Sequence, residues 1–572
     1  MTEPAPSSTS LTPARWLWDF LLLAGFAGLF FFLPVPTLPL RGEETRRAQA
    51  AREMVETGVW LYPQQQRQLY LTKPPLLYWL IASVAEVRGK FDRWTVRLPS
   101  VVATALVMLL LYVYGRCTVS RLVGWCAALS YGTTASILDK GVSAEIEAVF
   151  ILFIAGSLLV WHLGYVRCWP PLATWVLGYL LAALGMLTKG LQAPCYFAGA
   201  VTVYLAWRRD WRFLLHWSHA VGLVLFALVV GAWLVPCAQQ VGLAPVLHTF
   251  TGDTVSRIFT LQGFLAHLAR YPLETFANLL PWSVVLAWYT VPACRRELGR
   301  WPEAAAFALV CVAVAFPTCW LPVGAQPRYF TPLYPSLAVL MAVVLDAVAR
   351  SEAGSALRRS WRLALLSAAG IMLLAGFALV IARFGPYAAR LRVLPGGLVM
   401  GYLVAGAAAA VLLLRWRGDH GVRPVALGVA LIALFFGVTH AAVIVPVEAE
   451  ILTDLAGPVA AVHAQLPPGH RLVSLERLYH GFTFHYPEPI PVCLVESQPP
   501  SEVAAPTWFC IDAGKGGSGL KLPFAWETVT VVSLDRLRKD AALAQRTVVV
   551  GRWLPREADT HPVSVRETAA KY

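Results

Sequence analysis

The sequence predicts an α-helical polytopic membrane protein with about thirteen transmembrane helices and a small C-terminal α/β domain outside the membrane. Three observations carry that reading. Only 14% of the 572 residues are charged and 57% are hydrophobic, whereas a soluble domain is about 25% charged. Apolar runs near the length of a bilayer crossing recur along the chain. The arginines collect in alternate connections, the pattern of loops retained inside the cell. Those loops account for the net charge of +14, so nucleic acid is not implied as a partner.

Residues 1–14 are polar and rich in Pro, Ser and Thr, the composition of a disordered start. Trp16–Val35 is the first span. Its apolar run is long and no small-residue cleavage site follows, so it reads as a retained helix and not as a signal peptide. After a polar loop, residues 36–95, a second span covers about Arg97–Tyr114. Further runs begin near Leu122, Ala148, Leu172, Leu191, Ala220, Ala277, Ala304, Phe330, Leu363, Gly397 and Pro424, and the one from Leu122 is weakly polar.

With the N-terminus in the cytoplasm, the inside loops carry Arg116/Arg121, Arg167, Arg208/Arg209/Arg212, Arg295/Arg296/Arg300, Arg350/Arg358/Arg359/Arg362 and Arg415/Arg417/Arg423. One outside loop, with Arg383, Arg390 and Arg392, breaks the pattern. The loop 36–95 and the C-terminus then lie outside.

From Glu450 the composition changes. Short β-rich runs at Arg471–Val473, Ile490–Val495, Thr507–Ile511, Val529–Val532 and Thr547–Val550 alternate with Pro and Gly turns. The chain divides into a transmembrane module, residues 1–449, and a C-terminal α/β domain, residues 450–572. Ten cysteines show no metal-ligand spacing. Cys493 and Cys510 both fall in the polar portion, where a disulfide is open if that portion meets an oxidising compartment.

The loop 36–95 is the candidate for chemistry. Glu43–Glu56 is rich in alanine and charge, and Gly58 is a helix stop. It reads as a surface helix along the membrane, opened by acids that suit the helix dipole. A second amphipathic helix follows from Pro74, with Leu76, Leu77, Leu80, Ile81 and Val84 on one face. Lys73 then stands at a helix entrance, where amide dipoles favour an anion. A carboxylate there can take a proton while Lys and Arg neutralise a phosphate leaving group. The plainer reading is that Glu43 and Glu44 only open a helix and Arg46 and Arg47 snorkel. Neither a P-loop nor a glycine fingerprint after a strand is present, which favours a lipid-linked donor over a nucleotide sugar.

The succession GEETR, AREM, GVWLYP, LTKPPLLYWL and VRLPS resembles the first exocytoplasmic loop of the C-type glycosyltransferases of the protein O-mannosyltransferase and lipid A aminoarabinose transferase superfamily. There the wording is close to DETRYAE, REM, GDW..P, YFEKPPLLYWL and ARLPS. LTKG (Leu187–Gly190), LLPWS (Leu279–Ser283) and PRYFTPLYP (Pro327–Pro335) extend the likeness to about Leu340. The resemblance implies a GT-C fold and an enzyme that moves a sugar, with inversion, from a polyprenyl-phosphate donor to an envelope acceptor (lipid A, a glycan or a protein hydroxyl). It implies the outer face of a bacterial cytoplasmic membrane as the place.

The resemblance also implies roles. Glu43 stands where the family has its catalytic Asp and Glu44 where it has the following Glu, so either is open as the base. Lys73 matches the lysine of EKPP, a donor-phosphate contact. Thr72 replaces the Glu of that block, a metal ligand in the lipid A branch, which leaves a divalent metal open. Glu147, with Glu145 as the alternative, matches a second acidic site in Asp139–Glu147 (DKGVSAEIE). Lys189 is an interfacial anchor or a phosphate contact. Arg46, Arg257, Arg270, Arg328 and Tyr329 are further phosphate candidates, and His267 is a candidate for phosphate, a metal or a structural role. Two other classes stay in play. A lipid-linked sugar transporter would need inverted repeats and mid-span charges, which are not seen. A non-catalytic subunit of an envelope complex would fit the altered residues Glu43 and Thr72.

Overall fold

The computed structural model describes residues 13–251, 261–298, 301–352, 354–385, 391–415, 421–452, 454–493, 508–513, 524–534 and 547–554, with 388 and 522. Nine of the described helices are long and apolar enough to cross a bilayer. The four remaining apolar runs form shorter helices: Trp16–Phe32, Arg121–Gly132, Gln192–Arg208, and a broken piece comprising Ser283–Ala287 and Pro292–Glu297. Proline accounts for the break, because Pro281 and Pro292 supply no N–H to a continuing helix.

The elements that matter most here are α1 (Pro13–Ala27), α2 (Glu43–Thr57), α3 (Leu76–Arg88), α4 (Arg93–Thr118), α5 (Arg121–Gly132), α6 (Ala135–Lys140), α7 (Glu147–Val166) and α8 (Pro171–Lys189). The start of α4, the start of α7 and the end of α8 lie at one end of the bundle. At the opposite end, buried Asp19 of α1 accepts from Arg116 and Arg121. There too, Ser120 donates to Asp346 at 2.7 Å. The basic connection of Arg116 and Arg121 thus lies at the end opposite the first polar loop.

Helix α2 runs as its composition predicts. It stops at Gly58, whose φ of 69° is left-handed and whose N–H donates to the Met54 carbonyl. It is not a surface helix, however. Glu44, Thr45, Arg47, Ala48, Gln49, Ala50, Ala51, Glu53 and Met54 are all buried. The bundle covers one side and the C-terminal layer covers the other.

That layer contains a four-stranded sheet of β3 (Leu472–Ser474), β4 (Trp508–Asp512), β5 (Trp526–Ser533) and β6 (Thr547–Trp553), preceded in the chain by a small hairpin of β1 (Gln64–Gln65) and β2 (Gln68–Leu69). The order is β3-β4-β6-β5. β3 and β4 run parallel, and the other pairs are antiparallel. Val492 adds a parallel bridge to Ser474. All five predicted β-rich runs therefore pair, Ile490–Val495 by that single bridge.

Alternation along β4 sends successive residues to opposite faces. Cys510 packs with Leu455, Val459, Val462, Val548 and Val550. Phe509 packs on the other face with Val473, Leu475, Phe524 and Cys493. Cys493 and Cys510 therefore lie on opposite faces and are not joined, so the disulfide left open by the sequence is absent. The Cys510 thiol donates instead to the Val473 carbonyl at 3.3 Å.

One face of α2 grips this layer. Thr45 Oγ1 and His480 Nδ1 share a hydrogen bond of 2.6 Å. Thr483 Oγ1 donates to Gln49 Oε1 at 2.6 Å, and Arg52 donates to the Phe484 carbonyl at 2.7 Å. Positions 45, 49 and 52 follow the helical repeat, so a single stripe makes all three bonds. The hairpin adds a fourth link: Gln66 donates to Ser474 Oγ at 2.8 Å and accepts from the Leu478 N–H at 3.0 Å. Its turn residues Gln66 and Arg67 have φ of 53° and 62° without being glycine. Glu53 holds them there by accepting both N–H groups, at 2.6 and 2.9 Å.

Candidate active site

Glu43 is the first residue of α2, where amide dipoles favour a carboxylate. Arg46, one turn on, lies 2.9 Å from it and Arg47 lies 3.5 Å away. Arg46 also covers the Tyr70 ring, and buried Arg47 donates to the Tyr78 hydroxyl. Burial works against a charged Arg47, but Tyr78, Tyr70 and Glu43 together hold its pKa above the ordinary value. Burial likewise pushes Tyr78 up to about 12. The Glu43 side chain keeps 37% of its surface exposed, so its carboxylate can meet a substrate.

Glu44, its neighbour, is placed quite differently. It is fully buried and bonded on every side. Arg97 Nε and Nη2 donate to it at 2.8 and 2.7 Å. The Ala144 N–H donates at 2.8 Å and the Arg41 N–H at 3.0 Å. The remaining Arg97 donors go to the carbonyls of Val35, Leu38 and Pro39. Burial alone would raise the Glu44 pKa, yet the Arg97 charge and these bonds hold it below the usual carboxylate range. Glu44 thus fixes the entry to α2 against α4 and the segment before α7. It has no lone pair left for a substrate proton.

That segment carries the second acidic site. Ala144, pinned by Glu44, immediately precedes Glu145. Glu145 lies 3.0 Å from Lys140 and 3.5 Å from Arg328. Burial, with Glu147 nearby, raises the Glu145 pKa despite Lys140 and Arg328. Glu147 opens α7 and lies 3.3 Å from Lys189, which closes α8. Lys189 Nζ stands 5.2 Å from the Tyr329 ring centroid, and the Arg328 guanidinium stands 5.9 Å from it. Glu145, Glu147, Lys189, Arg328 and Tyr329, picked separately from the sequence, thus form one group. Residues flanking Lys73 reach α8. Leu71 and Leu76 pack on Leu187 of α8, two residues before Lys189.

Two cavities meet at Ala135, Asp139 and Lys140, which line both. One, about 580 Å³, is basic: Lys140, His267, Arg270 and Arg328 line it, with Asp139 and Glu274. The other, about 920 Å³, is amphipathic. Arg41, Lys140, Glu145 and Glu448 line it beside Val443, Ile444, Val447, Ile451 and Leu455. Arg41 bridges its rim, pairing with Asp139 at 2.5 Å and with Glu448. Burial would lower the Arg41 pKa, but Asp139 and Glu448 raise it.

Two further candidates line the basic cavity. Arg270 faces the basic cavity, but it is largely exposed and pairs with Glu274. His267 lines the same cavity with its Nε2 buried and unpartnered. No group of three metal-ligating side chains among the described residues includes it, so these residues do not fit a metal at His267. Arg257 lies outside the described residues. Sequence reasoning gave no individual role to Arg41, Arg97, Asp139, Lys140 or Glu448. Arg97 and Lys140 do lie inside the blocks VRLPS and DKGVSAEIE, and charge at a span end was the signal that could have found them.

Residues 72–235 match the family described as dolichyl-phosphate-mannose-protein mannosyltransferase. An undecaprenyl phosphate-alpha-4-amino-4-deoxy-L-arabinose arabinosyl transferase of Pseudomonas paraeruginosa is 30% identical over 429 residues, which is 70% of this chain and 72% of that protein. Its namesake in Pseudomonas aeruginosa is 31% identical over 423 residues, 69% of this chain and 71% of that one. Among solved structures, ArnT from Cupriavidus metallidurans in the apo state superposes with a TM-score of 0.68 at 18% identity. The alignment covers 94% of this chain and 98% of that one. The same protein bound to undecaprenyl phosphate gives 0.67 at 19% identity, with the same coverage. The fold is shared over nearly the whole chain.

Proposed function

Since this chain belongs to the ArnT-like family of C-type membrane glycosyltransferases, we propose that Glu43 is the base of its transfer reaction. It is a membrane glycosyltransferase that takes a sugar from a polyprenyl-phosphate donor to an envelope acceptor. The names of its relatives make undecaprenyl phosphate the carrier and 4-amino-4-deoxy-L-arabinose the sugar to test first. The reaction takes place at the outer face of the cytoplasmic membrane, with the N-terminus inside and the C-terminus outside. The chain divides near residue 449 into a transmembrane module and a C-terminal domain.

The observation that carries the assignment is the contrast between two adjacent acids. Glu44 is sealed and fully bonded, while Glu43 is half-exposed on the first turn of the same helix. Glu43 orients the acceptor and takes the proton of its O–H as that oxygen attacks the anomeric carbon. The bond from that carbon to the phosphate oxygen breaks, and polyprenyl phosphate leaves with the electron pair. Lys73, Lys189, Arg328 and Lys140 gather the phosphate, with Arg46 steadying Glu43. Glu145 and Glu147 keep these cations in place and surrender them when the stronger phosphate anion arrives.

The test is transfer in proteoliposomes, with a labelled undecaprenyl-phosphate sugar and a panel of envelope acceptors. Wild type transfers, and Glu43→Gln binds donor without transferring. Full transfer by Glu43→Gln would remove Glu43 from the role of base. A reporter fused to the C-terminus that is active only in the cytoplasm would overturn the orientation.

A further inference from the structure

We infer that the C-terminal layer holds a zinc ion on His463, His470 and Glu488, remote in sequence from the transfer residues. One ligand atom from each of the three lies within 4.8 Å of the others. His463 is the last residue of the helix Ala456–His463, and its Nε2 lies 3.0 Å from Glu488 Oε1. His470 sits in the turn that leads into β3, with its ring 5.3 Å from that of His463.

The hydrogen bonding of His470 sets its tautomer. Its Nδ1 lies 2.9 Å from the Pro467 carbonyl. A carbonyl only accepts, so Nδ1 carries the hydrogen and Nε2 keeps its lone pair. An imidazole that donates its other N–H to a backbone carbonyl is the usual arrangement of a metal-binding histidine. The lone pair faces the hydroxyl of Tyr486, a buried ring packed edge-on against both histidines.

The donor set selects the ion. Two imidazoles and one carboxylate suit zinc, whereas calcium and magnesium take oxygen ligands. Ligands about 2.0–2.2 Å from a tetrahedral zinc stand roughly 3.4 Å apart. The ligand atoms, here up to 4.8 Å apart, would draw together to that spacing when the ion binds. Water or the Tyr486 hydroxyl completes the shell. Such an ion would lock together three pieces: the helix end, the turn before β3, and the turn after His480–His485. Tyr486 also offers its carbonyl to Arg52 of α2, as Phe484 does, so the lock abuts the surface that holds α2.

The experiment uses the full chain in detergent, stripped with a chelator, dialysed, and titrated with zinc chloride by calorimetry. Bound metal is counted by plasma mass spectrometry. One zinc per chain is expected, lost in the double variant His463→Gln/His470→Gln. Zinc raises the unfolding temperature of wild type and leaves that of the double variant unchanged. Glu488→Gln, an exposed change that keeps the fold, weakens binding by about tenfold or more. His267→Ala retains the full stoichiometry, which separates this site from any metal near the transfer residues. Wild type without bound zinc, or unchanged binding in both variants, overturns the proposal. Should the double variant fail to fold, Glu488→Gln decides alone.

Discussion

Arg97 of α4 grips Glu44 of α2 through two parallel N–H bonds of 2.8 and 2.7 Å, and both side chains are sealed from solvent. Removing one partner strands the other charge in the interior, which typically costs about 3–5 kcal/mol. Glu44→Gln and Arg97→Met should each lower the thermal unfolding midpoint in detergent sharply. Arg97→Lys should fall nearly as far, because lysine lacks the planar fork that matches a carboxylate. An unchanged midpoint in all three would refute the structural role given to this pair.

The same pair predicts an acid limb. The folded pKa of Glu44 lies below its ordinary 4.5 because the Arg97 charge and the surrounding bonds outweigh burial. Its contribution to stability is therefore present above that ordinary value and is lost as pH falls through the lower folded one. Glu145 has the opposite sign, since burial raises its folded pKa. Its contribution is present below the ordinary value and is lost as pH rises through the folded one. Unfolding midpoints between about pH 5 and 3 should drop more steeply for wild type than for Glu44→Gln. Parallel curves would contradict the shift.

Glu43→Gln should cost roughly 10²- to 10⁴-fold in transfer, the usual worth of a positioned base. Donor binding should stay near wild type and the unfolding midpoint should fall only slightly, because the side chain is half-exposed and its buried partner Arg47 keeps its bond to Tyr78. A fall in midpoint matching the loss of activity would point to a folding defect instead.

Lys189→Met and Arg328→Met should each slow transfer by about 10²-fold, comparable to the loss of one donor at a developing anion. Lys189→Arg should recover part of the rate, since it restores the charge above Tyr329 and opposite Glu147. Single-turnover transfer at saturating donor is the measurement. Equal rates in Lys189→Met and wild type would place Lys189 among the interfacial anchors.

None of the ten cysteines is in a disulfide. Denatured without reductant, the protein should take up an alkylating label at every one, Cys493 and Cys510 included. A peptide joining those two in mass spectrometry would show that the sheet places them otherwise.

Local signals made much of this architecture readable. Helix α2 ends where Gly58 said it would, because only a residue at ease with left-handed backbone suits that stop. The β-rich runs after Glu450 found their partners because each alternates between the two faces of one sheet. Paired prolines announced the entry to α3. What could not be read was the burial of α2. Its alanines and charges look like a solvated face until Thr483, Phe484 and Tyr486 arrive from the far end of the chain to cover it. Glu43 and Glu44 were inseparable for the same reason. Adjacent acids look alike in sequence, and only the fold shows that one is sealed against Arg97 while the other, paired with Arg46 and Arg47, stays partly exposed. The resemblance implied roles for both acids, and the packing gives them different surroundings.

The stripe Thr45, Gln49 and Arg52 has one more consequence, and it concerns time. Its partners lie 432 to 435 residues further along the chain. At about 5–20 residues per second, a ribosome takes roughly 20–90 s to reach them. Throughout that interval the newborn first loop has nothing to close over it, and its polar stripe stays wetted. The end of the molecule where Glu43 lies is thus the last part to be finished, and a ribosome that stalls before residue 480 leaves a membrane bundle with one side of α2 uncovered.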